Sequence, residues 1–110
     1  MKLPLWEPSE ERKSNANMTR FIGLVNGRYG TKFTSYNELH NWSINNLNDF
    51  WALMWEFGEI KASKAYDTVI IPAERMVDTK WFQGARLNFA ENLLRYRNNR
   101  TALITQEQLA

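Results

Sequence analysis

The longest run of apolar residues at helical spacing lies between Trp42 and Gly58. At about 100° per residue its large side chains cover an arc of roughly 200°; they are Leu47, Phe50, Trp51, Leu53, Met54, Trp55 and Phe57. A helix on the surface of a small domain needs a narrower apolar stripe than this. The pattern predicts a central core helix, capped by Ser43 or Asn46 and closed by Gly58, that other elements cover from two sides.

Two helices are predicted before this stretch. Asn17 is expected to cap the first, whose apolar residues recur at i, i+3, i+4 and i+7: Met18, Phe21, Ile22 and Val25. Asn26-Gly27 is expected to end that helix, because both residues tolerate a positive φ. Ser35 and Glu38 match a capping box, which predicts a second helix reaching about Trp42.

An extended arm is predicted at Leu3–Pro8, since two prolines flank its apolar residues. Ser9 is expected to cap a short helical turn directly after the arm.

The periodicity weakens between Glu59 and Lys80. Thr68–Ile71 is a β-branched run stopped by Pro72, which indicates a brief edge strand or an extended crossing. Residues 73–78 are compatible with a loop or with one helical turn.

The stretch Trp81–Leu94 is the second informative one. Gly84 permits a tight bend after two bulky rings, and Asn88 with Glu91 repeats the capping-box spacing. A helix is expected from there to Asn98-Asn99. The fold class that these elements predict is mainly α (α+β), a small helical subdomain with one or two short strands.

A last strand is predicted at Thr101–Thr105, and no partner strand is evident near it in the sequence. A lone strand leaves its own backbone donors and acceptors unsatisfied. The pattern therefore suggests that a sheet begins here and continues in a further domain.

The aromatic content is high for a single domain. The 110 residues include five Trp, six Phe and four Tyr, and a domain of this size buries only about two thirds of its unfolded surface. Some of these rings are therefore expected on a surface that meets another domain or chain.

Composition excludes several kinds of chemistry. There is no cysteine and one histidine, His40, so disulfides, thiolate metal sites and a Ser–His triad are not expected. We interpret His40 as a surface or boundary residue. The net charge of +2 decides little, but the basic residues are scattered among almost as many acids, without the basic stripe that a nucleic-acid binder needs. The absence of a signal peptide or membrane-spanning apolar run indicates a cytoplasmic protein that does not bind a membrane. The arginines near the C-terminus, Arg86, Arg95, Arg97 and Arg100, are typical of a solvated helix face.

The chain resembles the N-terminal region of the short-chain acyl-CoA synthetases, which belong to the adenylate-forming ligase superfamily. The resemblance is carried by LWEP at residues 5–8, the FW pair at 50–51 and WFQGARLNFAENLL at residues 81–94. Ala85, where acetate-activating members usually have a second glycine, makes the match closer to the acetoacetate-activating members.

The resemblance implies a parent enzyme that activates a short β-keto acid with ATP and Mg²⁺ and passes the acyl group to CoA. It implies that residues 1–100 form a helical cap and that residues 101–110 begin the first strand of the large domain. It assigns no catalytic, cofactor-binding or metal-binding residue to this chain. Its expected partner is the remainder of the same polypeptide, and the isolated piece is expected to self-associate if that partner is missing.

Three weaker hypotheses stay open. Arg86 or Arg97 could lie near the phosphates of CoA in a complete enzyme. The chain could instead be a stand-alone helical adaptor that binds a protein through exposed aromatic residues, with Thr101–Thr105 paired internally. Nucleic-acid binding through Tyr96 and its neighbouring arginines is the least supported, because three arginines on one turn are few.

Overall fold

A computed structural model describes residues 3–108 of the chain. It contains five α-helices, a short 3₁₀ turn and one two-stranded antiparallel sheet within that range: α1 Glu10–Asn15, α2 Asn17–Tyr29, α3 Tyr36–Asn45, α4 Leu47–Phe57, β1 Thr68–Ile71, the 3₁₀ turn Met76–Asp78, β2 Lys80–Gln83 and α5 Phe89–Leu93. The prediction of a mainly helical chain with one or two short strands is confirmed.

The start of α2 differs from the prediction, whereas α1 agrees with it. The Ser9 hydroxyl accepts a hydrogen bond from the Arg12 N–H at 3.2 Å, so Ser9 caps α1 as expected. Asn17 is not a cap, because it is already the first residue of α2 and extended Ala16 precedes it. Its Oδ1 instead accepts from the Arg20 guanidinium, one turn further along the same helix, at 3.1 Å.

The predicted end of α2 at Asn26-Gly27 was wrong by about one turn. The helix continues to Tyr29 and ends where Gly30 takes a φ of +67°. Asn26 uses its side chain across the following loop: Oδ1 accepts from the Phe33 N–H at 2.9 Å, and Nδ2 donates to the Phe33 carbonyl at 3.0 Å. The asparagine therefore fixes the α2–α3 loop and leaves the left-handed position to a glycine.

The Ser35–Glu38 capping box is confirmed. The Glu38 N–H donates to the Ser35 hydroxyl at 3.3 Å, and Glu38 Oε1 accepts from the Thr34 N–H at 3.2 Å. The helix that this box opens, α3, reaches Asn45 and so passes the predicted end at Trp42.

The central helix is α4, which begins after Asn46 as one of the two predicted alternatives, and the first residues of the stretch Trp42–Gly58 belong to the end of α3. Asn46 leaves the helical region, with φ −137° and ψ 57°, and separates α3 from α4. Asn46 occupies the position directly before α4, where a capping residue was predicted. Its side chain does not cap α4, because Nδ2 donates to the carbonyl of Trp42 in the preceding helix at 3.0 Å. The asparagine closes α3 with its side chain and gives α4 no side-chain cap.

The core lies where α2, α3 and α4 meet. Phe21 and Val25 of α2, Leu39 of α3 and Leu53 of α4 form its buried cluster. The prediction that α4 is covered from two sides is confirmed, because β1 also packs on α4 and the rings of Trp81 and Phe82 in β2 contact its tryptophans. The most buried residue of α4 is Leu53, 1% exposed, whereas both of its tryptophans stay half-buried.

The two strands form a small hairpin-like sheet. β1 is the predicted edge strand, and it pairs with β2 in the register Thr68–Gln83, Ile70–Trp81 and Ile71–Lys80. The sequence did not predict β2, which was expected only as two rings before a bend. Residues 73–78 were predicted to form a loop or one helical turn. Within them, Met76–Asp78 forms a 3₁₀ turn.

The predicted helix up to Asn98-Asn99 ends earlier, because α5 stops at Leu93. Residues 94–108 hold no further helix or strand. Thr101–Thr105 pairs with no described strand, and its assignment to the start of a further domain stays a prediction.

Candidate docking surface

Aromatic rings fasten the sheet to α4. The ring centroids of Trp51 and Trp81 lie 5.5 Å apart in an edge-to-face arrangement. Trp55, Tyr66 and Phe82 form a triad in which every pair of centroids lies within 5.4 Å. Such pairs stabilise by about 0.5–1.5 kcal/mol each beyond the area that they bury. The half-buried tryptophans of α4 therefore hold the second layer of the fold.

Trp81 and Phe82 are the two bulky rings that precede the bend at Gly84. The structure places both rings against α4 of the same chain, and Trp81 remains 45% exposed. Phe82 has a φ of +46°, which is uncommon for a bulky residue. No feature of the sequence signalled this conformation.

Gly84 makes the predicted tight bend, with a φ of +91°. A Cβ at this position would lie 2.2 Å from Oδ2 of Asp67. The Asp67 N–H also donates to the Gln83 carbonyl at 2.8 Å, which keeps the two segments adjacent. The backbone conformation therefore requires the glycine, and an added Cβ would also displace the exposed carboxylate of Asp67.

The helix α5 is joined to the loop after α4 by Asn92. Its Oδ1 accepts from the Lys61 N–H at 2.8 Å, and its Nδ2 donates to the Lys61 carbonyl at 3.0 Å. The amide thus pairs with both backbone groups of one residue. The capping contact at the start of α5 is the predicted one, from the Glu91 N–H to Asn88 Oδ1 at 3.0 Å.

Arg95 ties the residues after α5 to the end of α4. Its guanidinium donates to the backbone carbonyls of Gly58, Glu59 and Asn92. A cation at the carbonyl end of a helix is favourable, because the carbonyl groups there carry a partial negative charge. This arginine was predicted to lie on a solvated face, and the structure instead gives it a half-buried structural position.

The apolar side chains of the same region are exposed. We call the following set the C-terminal apolar segment: Leu87, Phe89, Leu93, Leu94, Leu103 and Ile104, all more than half exposed. Phe89 and Leu93 are 76% and 65% exposed and lie four residues apart, on one line of α5. Single exposed apolar residues are ordinary, and these six lie within 18 residues of sequence.

A second apolar feature is a groove of about 310 Å³ between α2, α3 and α4. Its lining is mainly apolar and includes Met18, Tyr36, Phe50 and Met54. His40 lies at this groove, exposed, with its ring stacked 5.9 Å from that of Tyr36, which fits the predicted surface position.

The structure does not bring Arg86 and Arg97 into one site. Arg97 lies at an open polar hollow together with Lys61, Arg95 and Glu91, and Arg86 is not among the residues that line it. The backbone of Arg86 forms an isolated bridge with Lys64, where the Arg86 N–H donates to the Lys64 carbonyl at 2.9 Å. Both arginine side chains are exposed.

The residues present do not fit a Mg²⁺–ATP site. Within residues 3–108, no group of three or more His, Asp or Glu side chains is placed to hold a metal ion. Gly23 and Gly27 lie inside α2 and Gly30 ends it, so these glycines do not form the loop between a strand and a helix that holds phosphate. In the part of the chain that the structure describes, no helix combines the length and apolar character needed to cross a membrane.

Comparison with known proteins gives consistent results. The chain is 43% identical over 101 residues to acetoacetyl-CoA synthetase of Macaca fascicularis, which covers 90% of this chain and 15% of that protein. It is 42% identical over 91 residues to malonamoyl-CoA synthetase of Penicillium aethiopicum, covering 82% of this chain and 12% of that one. The structure of acetoacetyl-CoA synthetase from Streptomyces lividans matches with a TM-score of 0.72 at 34% identity, over 82% of this chain and 14% of that one.

These proteins are about seven times longer than the matched segment. The similarity confirms the resemblance to the N-terminal region of acetoacetyl-CoA synthetases. The model of the family described as "Acetyl-coenzyme A synthetase N-terminus" matches residues 36–93, from the first residue of α3 to the last residue of α5. The chain belongs to the acetyl-coenzyme A synthetase N-terminus family.

Proposed function

We propose that this chain is the N-terminal cap of an AMP-forming ligase that activates acetoacetate with ATP and transfers it to CoA. In this proposal residues 1–100 form the cap, and residues 101–110 enter the first strand of the large domain. Support comes from the relatives named acetoacetyl-CoA synthetase and from the matching structure of one of them.

The main support for the proposal is the large accessible surface of the chain. Its accessible area is 9880 Å², whereas a compact monomer of this mass exposes roughly 6,300 Å². The radius of gyration is 19.0 Å, compared with about 13 Å for a compact domain of 100 residues. The excess of roughly 3,500 Å² on this chain alone is at least as large as the roughly 1,000–2,500 Å² per partner that obligate interfaces bury. Such a surface is expected of a piece that folds against a larger body.

The cap has a structural role in this proposal and no catalytic residue. ATP, Mg²⁺ and CoA are bound by the remainder of the ligase, since the described residues do not fit a nucleotide site. The proposed location is the cytoplasm, which a chain without cysteine suits because it forms no disulfides.

The choice of acid belongs to the remainder of the enzyme in this account. The relative from Penicillium aethiopicum is named for a different acid, yet it shares 42% of the residues compared. Acetoacetate is therefore proposed from the greater number of relatives that carry its name.

The alternative of a stand-alone adaptor is less well supported. It expected Thr101–Thr105 to be paired internally, and this segment has no strand partner within residues 3–108. The nucleic-acid alternative is weakened because Arg95 is committed to backbone carbonyls. The guanidinium groups of Arg95 and Arg100 also lie over the ring of Tyr96, which base stacking would need free.

The test is an ATP–pyrophosphate exchange assay with a chimera. In the chimera, the whole chain replaces the segment that it matches in the Streptomyces lividans enzyme. The assay compares two acids as substrates, acetoacetate and malonamate. We expect no exchange by the chain alone and acetoacetate-dependent exchange by the chimera. Exchange catalysed by the chain alone contradicts the proposal, as does an inactive chimera that is folded and monodisperse.

A further inference from the structure

We propose that the part of the C-terminal apolar segment on and beside α5, from Leu87 to Leu94, docks on the large domain of the same polypeptide, and that Asn92 and Arg95 hold α5 in the orientation that presents it. This inference rests on the proposed function and adds the surface by which the cap is seated.

The first support is that polar contacts hold α5 in place. The helix has five residues and none of them is buried, and so short a helix is not stable in water by itself. Asn92 and Arg95 are half-buried and bond to the backbone of residues 58–61, whereas Phe89 and Leu93 stay exposed. The apolar side chains of α5 therefore contribute little to holding the helix on this chain and remain available to another body.

The second support is the position of the segment in the family. The matched family is an N-terminus and ends its match at Leu93, and this chain spans 12–15% of the relatives compared. In those proteins most of the polypeptide therefore follows α5. The residues after α5 include Leu103 and Ile104, each 88% exposed. The apolar side chains thus lie where the chain leads into the remainder of the enzyme.

A covalently joined domain is a better occupant than a second copy. Joining the two surfaces in one polypeptide gives an effective concentration of about millimolar for a short connection, so modest complementarity is sufficient. A second copy has to be recruited from solution and pays the full cost of association. Self-association through this segment is expected only where the large domain is missing.

The experiment uses hydrogen exchange of the whole chain alone and in the Streptomyces lividans chimera described above. We expect the amides of residues 89–94 to exchange at least about tenfold more slowly in the chimera, because docking suppresses local opening. Leu93→Asp should abolish that added protection. Ile44→Asp is the matched control, since Ile44 is 54% exposed on α3 and lies outside the segment; it should leave the protection within about twofold.

Exchange and activity separate the two proposals. Equal exchange of residues 89–94 in the chain and in an active chimera overturns the docking surface and leaves the proposed function standing. An inactive chimera in which residues 89–94 are protected contradicts the proposed function and leaves the docking surface standing.

The isolated chain supplies an independent measurement. Its binding of a hydrophobic dye should fall with Leu93→Asp and not with Ile44→Asp, and an equal fall contradicts the inference. The protection of residues 89–94 in the chain alone could also rise with concentration until it equals that in the chimera. That result identifies a second copy as the occupant and overturns the inference.

Discussion

The side-chain amide of Asn92 pairs with both backbone groups of Lys61, at 2.8 Å and 3.0 Å, across 31 residues of sequence. Together with the contacts of Arg95, this contact holds α5 in place, because the helix buries none of its own residues. The orientation of the apolar surface that we propose as the docking site thus depends on a neutral amide.

Replacing Asn92 by Ala should loosen α5 and lower the free energy of unfolding by about 1–2 kcal/mol, since the contact with both backbone groups of Lys61 is lost. Urea unfolding measures the loss, and hydrogen exchange should locate it at residues 89–94. Asn45→Ala is the control, because the Asn45 amide donates to the Asn41 carbonyl within α3. An equal loss for both variants would show that Asn92 has no special part.

Gly84→Ala should destabilise the chain by about 1–3 kcal/mol, because alanine is strained at a φ of +91° and its Cβ meets Asp67. Gly27→Ala is the matched control within α2, where nothing lies within 4 Å of the added Cβ. It should stabilise the helix by about 0.5–1 kcal/mol. Thermal unfolding of both variants checks the opposite signs, and two shifts of the same sign would contradict the account of Gly84.

Leu53→Ala should lower the free energy of unfolding by about 2–5 kcal/mol, because Leu53 is 1% exposed at the centre of the core. Leu47→Ala on the same helix should cost less than half as much, since Leu47 is 41% exposed. Chemical denaturation of the two variants tests whether the core is centred on Leu53. Similar losses would place the centre elsewhere on α4.

Several local signals were read correctly from the sequence, although the predicted cap at Asn17 and the predicted helix end at Asn26-Gly27 were wrong. The capping pairs Ser35–Glu38 and Asn88–Glu91 and the bend at Gly84 depend on residues within a few positions of each other, and all three were predicted. β1 was also recognised, from its β-branched run and the proline after it.

The features that the sequence did not predict depend on distant residues. α5 ends early where Arg95 turns to the carbonyls of Gly58 and Glu59, more than 30 residues away. β2 exists because β1 pairs with it, and its own sequence has no alternation to mark a strand. For the docking surface, the aromatic excess predicted that a partner face exists but not that α5 carries it. No local pattern marks the contact of Asn92 with Lys61, which lies 31 residues away in the sequence.

Glu38 should make stability depend on pH in the acidic range. Hydrogen bonds from the Thr34 N–H, and then from the hydroxyls of Ser35 and Thr34, hold the pKa of Glu38 below its ordinary value of 4.5. Since the pKa is lower in the folded chain, the stabilisation is present above the unfolded value and is lost as the pH falls through the folded one.

The native chain should have a larger free energy of unfolding than Glu38→Gln. This difference should be constant near neutral pH and shrink below about pH 4.5. Urea unfolding across that range measures it. Glu11→Gln, in the exposed first turn of α1, controls for the loss of one carboxylate. An advantage that grows on acidification would reverse the assigned direction.

The most direct test of the docking surface is a photo-crosslink. A photoreactive phenylalanine analogue at Phe89, 76% exposed on α5, is compared with the same analogue at Tyr36, 59% exposed on α3, in the chimera with the Streptomyces lividans enzyme. Mass spectrometry of the crosslinked peptides should join position 89 to the large domain of the same molecule and give little such product from position 36. Crosslinks from position 36 alone, or from position 89 only to a second copy, would contradict the account.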